Sequence, residues 1–205
     1  MPGIHHDPPA PGHPWRFGDR RALTLTLLAV LVVVNTMAAK FAVFSFGIAP
    51  GVSALYMVVA LMILFTLWFG MWGALAAYAG CYIGAGIYGG IPPGLNLFWS
   101  LADLWQVLIP LLAFRSMDAD ISLKREKDLL LLLVFGIFLN NLAGAAWGSA
   151  SLVFGGLITQ NEAVPVFYNW FLGNVVSGMI LIPVLLYVIT PVLRAHNLVV
   201  SRYWQ

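Results

Sequence analysis

Five polar side chains lie at a similar depth inside long apolar stretches of this sequence. They are Asn35, Asp103, Gln106, Asn140 and Asn174. Counting about 1.5 Å per residue from the ends of the stretches places all five at or just outside the middle of a bilayer. Such groups either bond helices together or form a site for a polar ligand. For the amides the two interpretations weigh about equally, whereas Asp103 favours a ligand site because ionisable groups in membrane spans mark functional sites.

The polar face of the fourth predicted span and a lysine in the first also bear on the ligand site. Asn96, Ser100, Asp103 and Gln106 recur at helical spacing, so one side of that helix is polar and should face inward. Lys40 lies near the outer boundary, where it could extend to the lipid headgroups or reach down and pair with Asp103. The sequence therefore predicts an outward-facing ligand site, whose residues are Asn35, Lys40, Asp103, Gln106, Asn140 and Asn174.

Enzyme chemistry inside the membrane lacks its usual residues. No histidine lies in an apolar stretch, so a histidine base, a zinc site or a haem ligand is not provided there. Asp103 is the only acid within these stretches, which excludes a pair of catalytic aspartates. We expect a protein that is not an enzyme, with no metal site and no cofactor.

The elements that must position these residues are predicted to be six transmembrane helices. Hydrophobic residues make up 61% of the 205 residues and charged residues only 9%, which is typical of an integral membrane protein. The fold class is all-α and polytopic. The predicted spans are Leu23 to Phe46, Val52 to Phe69, Trp72 to Tyr88, Leu95 to Phe114, Leu129 to Gly148 and Phe167 to Ile189.

The distribution of basic residues predicts the orientation. Nine of the ten Lys and Arg residues fall before the first span, between the fourth and fifth spans, or after the sixth. Because short loops rich in Lys and Arg stay on the cytoplasmic side, both termini should be cytoplasmic. We expect a multi-pass protein of the plasma membrane, with a disordered cytoplasmic tail at residues 1–20 and one membrane domain at residues 21–205.

The first span has an alternative interpretation. The basic residues, the apolar run from Leu23 to Val34 and the small residues Met37-Ala38-Ala39 could form a cleaved signal peptide. The apolar stretch continues to Phe46, which is longer than a signal core and favours a retained helix.

Loops and small residues complete the predicted architecture. The outer loops are predicted at Gly47 to Gly51, Gly89 to Gly94 and Ser149 to Pro165, and the main cytoplasmic loop at Ser116 to Asp128. Trp147 and Trp170 beside the outer loops are typical of a headgroup belt. Two stripes of small residues, in the third and fifth spans, predict close helix packing within the chain or, alternatively, a dimer face. The stripes are Ala76, Gly80 and Gly84, and Gly136, Asn140, Gly144 and Gly148.

Several short motifs together resemble the first type of bacterial and archaeal membrane-associated sensor domain. The run from Trp170 through Leu172-Gly173-Asn174 and Gly178 to Pro183 is similar to that family's closing helix. The opening half matches at Ala39-Lys40-Phe41, Gly51, Phe69-Gly70 and Gly84. The sequence departs from the family pattern where Ser53-Ala-Leu-Tyr replaces a Trp-Pro, and it is shorter than the family's eight-span module. Because no kinase or cyclase region follows Gln205, the resemblance implies signalling through a separate partner.

The predicted topology also resembles the substrate-binding S component of energy-coupling-factor transporters. Members of that family capture vitamins or metal ions and pass them to a separate energising module. Their docking motif is an Ala-x-x-x-Ala on the first helix, and here Ala38 and Ala42 have this spacing but lie toward the outer end.

Together these patterns predict a membrane sensor module that binds an external or membrane-borne small molecule and signals to a cytoplasmic or membrane partner protein. The alternative is an S component for a vitamin or other micronutrient. No separate domain is long enough to bind nucleic acid, so the expected partners are the ligand, the lipid bilayer and another protein.

Overall fold

The computed structural model describes residues 21–204, apart from the side chains of Arg21, Ala22 and Phe44. Within that range the chain is mostly helical, as predicted, with one short β-hairpin. The tail predicted at residues 1–20 lies outside the described residues.

The first helix leads directly into the hairpin. Helix α1 (Arg21–Phe46) is followed by strand β1 (Gly47–Ala49), which pairs antiparallel with β2 (Val52–Ser53). Gly51 forms the turn with a φ of 71°, a backbone conformation that glycine adopts without a steric penalty. The prediction that the second span begins at Val52 is wrong, because helix α2 is Val58–Phe69. A short apolar run does not distinguish a strand from the start of a helix.

The middle helices contain two departures from regular geometry. Helix α3 (Met71–Cys81) continues as a π-helix at Tyr82–Ile87, and α4 (Pro93–Trp99) is separated from α5 (Leu101–Ser116) by a break at Ser100. The Asn96 side chain donates a 2.8 Å hydrogen bond from Nδ2 to the carbonyl of Tyr82. Wide π-turns leave backbone groups in need of partners, so this amide joins α4 to α3.

The final helices are longer than predicted. Helix α6 (Glu126–Leu131) continues as a π-helix at Leu132–Leu139 and then as α7 (Asn140–Phe154), which is followed by α8 (Gln160–Ala195). The outer loop predicted at Ser149 to Pro165 is therefore wrong, since only residues 155–159 lie between α7 and α8. Thr159 and Glu162 form a reciprocal capping box that starts α8 before Pro165.

Four helical segments among the described residues are long and apolar enough to cross a membrane. They are Leu23–Val43, Pro93–Ser116, Glu126–Phe154 and Gln160–Ala195. The apolar helices Val58–Phe69 and Met71–Ile87 are shorter. The structure thus agrees with a helical membrane protein, while six crossings remain a prediction.

The small residues pack inside the chain, as the favoured interpretation predicted. A Cβ added at Gly80 would collide with the side chain of Asn35, and one at Gly84 would collide with the backbone of Thr36, so α3 lies close against α1. In α7, a Cβ at Gly144 would meet Gln106, and one at Gly148 would meet the ring of Trp170. These glycines bring helices of the same chain together.

The two ends of the bundle carry different structures. At one end, which we call the hairpin end, Gly51 packs against Ile91 and Trp99. At the opposite tail end, residues after α8 fold back over the turn between α2 and α3. The N–H of Val200 donates to Trp68 O at 2.7 Å, and the N–H of Met71 donates to Tyr203 O at 2.8 Å.

The contact between Gly80 and Asn35 allows a stability prediction. Gly80→Ala should lower the free energy of unfolding by about 1–3 kcal/mol, because the new methyl group displaces a fully buried amide. Gly94→Ala is the matched control, since no atom lies within 4 Å of a Cβ there. Thermal unfolding in detergent measures both variants. Equal melting temperatures would show that the α1–α3 contact relaxes without cost.

Candidate functional site

A small, partly open cavity lies at the hairpin end, where several elements converge. Its volume is about 10 Å³, close to the space that one water molecule occupies. Its lining comes from the hairpin, the segment before α2, the end of α4, the first turn of α5, and α8. The lining residues are Gly51, Val52, Ser53, Tyr56, Trp99, Asp103 and Trp170.

Asp103 is the acidic residue of this cavity. It lies in the first turn of α5 and is 1% exposed. The Tyr56 hydroxyl lies 3.4 Å from Oδ2 of Asp103, at the long end of the hydrogen-bonding range, and the Cys81 thiol also interacts with this carboxyl group. No salt bridge in the described part of the chain involves Asp103.

Two indole rings form another wall of the cavity. The ring centroids of Trp99 and Trp170 are 5.7 Å apart with an interplanar angle of 50°. Trp99 is 1% exposed, and its Nε1–H has no hydrogen-bond partner among the described residues. Trp170 is 4% exposed, so its predicted place in a headgroup belt is wrong. The side chain is turned inward because Gly148 leaves room for the ring on α7.

Lys40 does not pair with Asp103. Its Nζ lies 4.1 Å from the centroid of the Tyr88 ring, a cation–π contact at the hairpin end. Of the two alternatives for Lys40, the ion pair with Asp103 is therefore wrong, whereas its predicted position near the outer end of its helix agrees with the contact.

Gln106 and Asn140 meet between α5 and α7. Asn140 donates from Nδ2 to the backbone carbonyl of Gln106 at 3.2 Å, and Gln106 donates from Nε2 to Oδ1 of Asn141 at 2.6 Å. Asn141 was missed by the sequence analysis, although it follows Asn140 directly at almost the same depth. Gln106 Oε1 and Asn140 Oδ1 are buried without partners, so the pair retains unused acceptors.

The remaining two predicted residues lie apart from the lining of the cavity. Asn35 donates from Nδ2 toward the carbonyls of Ala76 and Ala77, both at 3.3 Å, and so joins α1 to α3. Asn174 is fully buried on α8, one turn beyond Trp170, and neither of its side-chain polar atoms has a partner. The structure thus places Asp103 alone of the six predicted residues in the cavity wall. The sequence analysis missed Tyr56 and Trp99. Both are aromatic residues with a polar group beside a predicted outer loop, and this feature could have identified them.

A larger cleft of about 680 Å³ lies at the tail end. Its walls carry both signs of charge, and Asp128 and Asp120 are paired with Arg125 at 2.8 Å and Arg194 at 2.5 Å. Partial burial would raise the pKa of Asp120, but hydrogen bonds from Arg194 and Ser122 lower it overall. Arg115 donates to the carbonyls of Leu67 at 3.2 Å and Val200 at 2.7 Å. These charges are largely satisfied within the chain.

An apolar groove of about 700 Å³ opens sideways between α4 and α7. Phe98 and Phe154 in its wall are 63% and 92% exposed. Such a surface suits lipid chains in a membrane protein, whereas it offers few groups for recognising a polar ligand.

The described residues contain no group of three or more His, Cys, Asp or Glu side chains that could hold a metal ion. Comparisons with protein-family models, with curated proteins and with solved structures find no match to this chain.

Proposed function

We propose that this chain is a small-molecule-binding membrane module of the sensor type. It would detect an external or membrane-borne ligand at the hairpin end and signal to a separate partner at the tail end. The observation that supports this best is the cavity, whose wall includes the buried carboxyl group of Asp103, the hydroxyl-bearing Tyr56 and Trp99 with its unpartnered indole N–H. Convergent polar groups within aromatic walls are typical of small-ligand sites.

The proposed orientation follows from the basic residues. With six crossings and both termini in the cytoplasm of a plasma-membrane protein, the hairpin end faces outward and the tail end faces the cytoplasm. Arg115, Lys124, Arg125 and Arg194 all line the tail-end cleft, in agreement with the excess of positive charge on cytoplasmic surfaces.

Labelling of single cysteines tests this orientation. In intact cells, an impermeant thiol reagent should modify Asn161→Cys and spare Glu126→Cys, because these exposed residues lie at opposite ends of the bundle. The unsubstituted protein is the background control, since Cys81 is buried. Modification at position 126 with none at 161 would reverse the proposed topology.

Mass spectrometry tests the proposed function directly. Purification in mild detergent should retain a small molecule on the protein. Trp170→Ala should release it, because that variant removes a wall of the cavity. Phe154→Ala is the control, since this residue is 92% exposed in the apolar groove outside the site. Equal retention by both variants, or no retained molecule in any preparation, would contradict the proposed site.

The S-component alternative is favoured by one specific feature. The hairpin supplies Gly51, Val52 and Ser53 to the cavity wall, as a cover over a captured solute would. Against it, Ala42 is 5% exposed, and both Ala38 and Ala42 line a groove of about 170 Å³ between α1 and the start of α2. The pair therefore lies near the hairpin end of α1, away from the tail end at which a cytoplasmic energising module would dock.

Affinity purification distinguishes the two functions. A sensor should bring down a signalling protein, whereas an S component should bring down a transmembrane coupling subunit and ATPases. Recovery of the latter complex, together with ligand uptake that depends on it, would replace the sensor proposal.

A further inference from the structure

The cavity at the hairpin end contains a buried acid without a cationic partner. Asp103 and Asp128 are the buried acids among the described residues, and Asp128 is paired with Arg125. Asp103 has only the Tyr56 hydroxyl and the Cys81 thiol beside it. A bound cation would supply the opposite charge that a carboxylate at this position lacks.

Aromatic side chains line the cavity beside this acid. Trp99, Trp170 and Tyr56 line the same cavity, and all three are 4% exposed or less. Aromatic rings attract ammonium groups through their negative faces, and tryptophan does so most strongly. The contact is worth more where water is excluded, so the burial of these rings favours a cation further.

The unpartnered indole adds a second requirement. Within residues 21–204, the Nε1–H of Trp99 is a buried donor without an acceptor. A buried donor left unpaired costs about 1–3 kcal/mol, so a ligand oxygen that accepts this hydrogen bond would bind favourably.

A metal ion fits these groups poorly. Calcium takes about 6–8 oxygen ligands, whereas the cavity wall offers one carboxyl group and the hydroxyls of Tyr56 and Ser53. The Ser53 hydroxyl already donates to the carbonyl of Leu55 at 3.0 Å.

We propose that the ligand is a small organic ammonium compound that also carries an oxygen acceptor, in the manner of an amino alcohol. This inference rests on the proposed function, because it assumes that the cavity binds a ligand. The ammonium group lies against Asp103 and the aromatic rings, and the oxygen accepts from Trp99. With a cavity of about 10 Å³ beneath it, the hairpin Gly47–Ser53 must move outward to admit any such molecule.

Choline and 3,3-dimethylbutan-1-ol provide a matched pair of probes. The two molecules have the same shape, and only choline carries a charge. The full chain is studied in nanodiscs of phosphatidylglycerol alone, which keeps ammonium headgroups out of the bilayer, and binding is followed by calorimetry and tryptophan fluorescence. Choline should bind at least tenfold more tightly than the alcohol, and Asp103→Asn should abolish that preference. Asp118→Asn is the control, because this exposed acid lies in the tail-end cleft and its φ of 50° suits asparagine.

A lipid headgroup is the other source of the same chemistry. If the ammonium group comes from phosphatidylcholine, adding this lipid to the nanodiscs should abolish the binding of free choline. If the ligand is a free molecule, the added lipid should leave choline binding unchanged.

Two results would overturn the inference. One is equal or tighter binding of the neutral alcohol, and the other is no binding of choline, ethanolamine or tetramethylammonium. The proposed function fails separately, when no molecule of any charge is retained on purification. If the retained molecule is neutral or anionic and Trp170→Ala releases it, the sensor proposal stands and only the proposed ammonium ligand is rejected.

Discussion

Asp103→Asn should leave the protein folded while reducing the amount of retained ligand by tenfold or more. Asparagine keeps the shape of aspartate and can still accept a hydrogen bond from Tyr56, so the packing at the hairpin end is preserved. The substitution removes the charge, and a tenfold loss of affinity corresponds to about 1.4 kcal/mol. Native mass spectrometry measures the retained ligand, and thermal unfolding measures the fold.

A second variant separates binding from stability. Asp103→Leu should also lose the ligand without aggregating, because an apolar group at this depth costs little in a membrane protein. If the carboxyl group serves only to hold the helices together, both variants will unfold at lower temperature and the folded fraction will retain its ligand normally. That outcome would remove Asp103 from the site.

Arg115→Met should destabilise the protein by about 2–4 kcal/mol and release the C-terminal tail. The guanidinium group bonds the carbonyls of Leu67 and Val200, and both of those residues are 1% exposed. Removing a charged donor leaves these buried acceptors without partners, and each such loss costs about 1–3 kcal/mol. Methionine preserves much of the side-chain volume, so the effect reports the lost hydrogen bonds.

Hydrogen exchange at the Val200 amide provides the second measurement. This N–H donates to Trp68 O at 2.7 Å, and the variant should exchange it much faster. Arg202→Met is the control, because Arg202 is exposed and its substitution removes the same charge from the tail. Unchanged protection of Val200 in Arg115→Met would show that the tail is held by its other contacts.

The sequence predicted the depth of side chains along each helix better than the direction in which each helix face points. Residue counting places a side chain along the membrane normal, and it correctly brought Gln106 and Asn140 to one level where they meet. Depth does not determine which neighbour a helix face meets, and Asn35 is turned toward α3, with both of its donated bonds there. The packing of Gly80 on Asn35 sets that rotation, and it is a property of two helices together.

The hairpin was missed for a different reason. Val52 and Ser53 belong to an apolar run that continues into α2, and such a run fits a strand or a helix equally well in sequence. Gly51 signals the turn, but the Trp99 ring that packs against it comes from a distant part of the sequence. Trp99 and Tyr56 were overlooked because an aromatic residue near an outer loop is usually part of a headgroup belt.

The bonds of Arg115 determine how the molecule can deform. Helix α5 carries Asp103 at the cavity and Arg115 at the tail end. Helix α2 runs beside it, from just after Tyr56 to just beyond Leu67. Each helix therefore spans roughly 17 Å between the cavity and the tail. Sliding α5 along α2 would break the hydrogen bonds from the Arg115 guanidinium group to its carbonyl partners. These bonds therefore oppose relative movement of the two helices. The hairpin, at the opposite end of the bundle, has strands of only three and two residues. Few backbone hydrogen bonds therefore oppose its movement. A ligand that displaces only the hairpin should therefore leave the tail undisturbed, whereas one that shifts α5 along its axis would also displace the Arg115 bond to Val200.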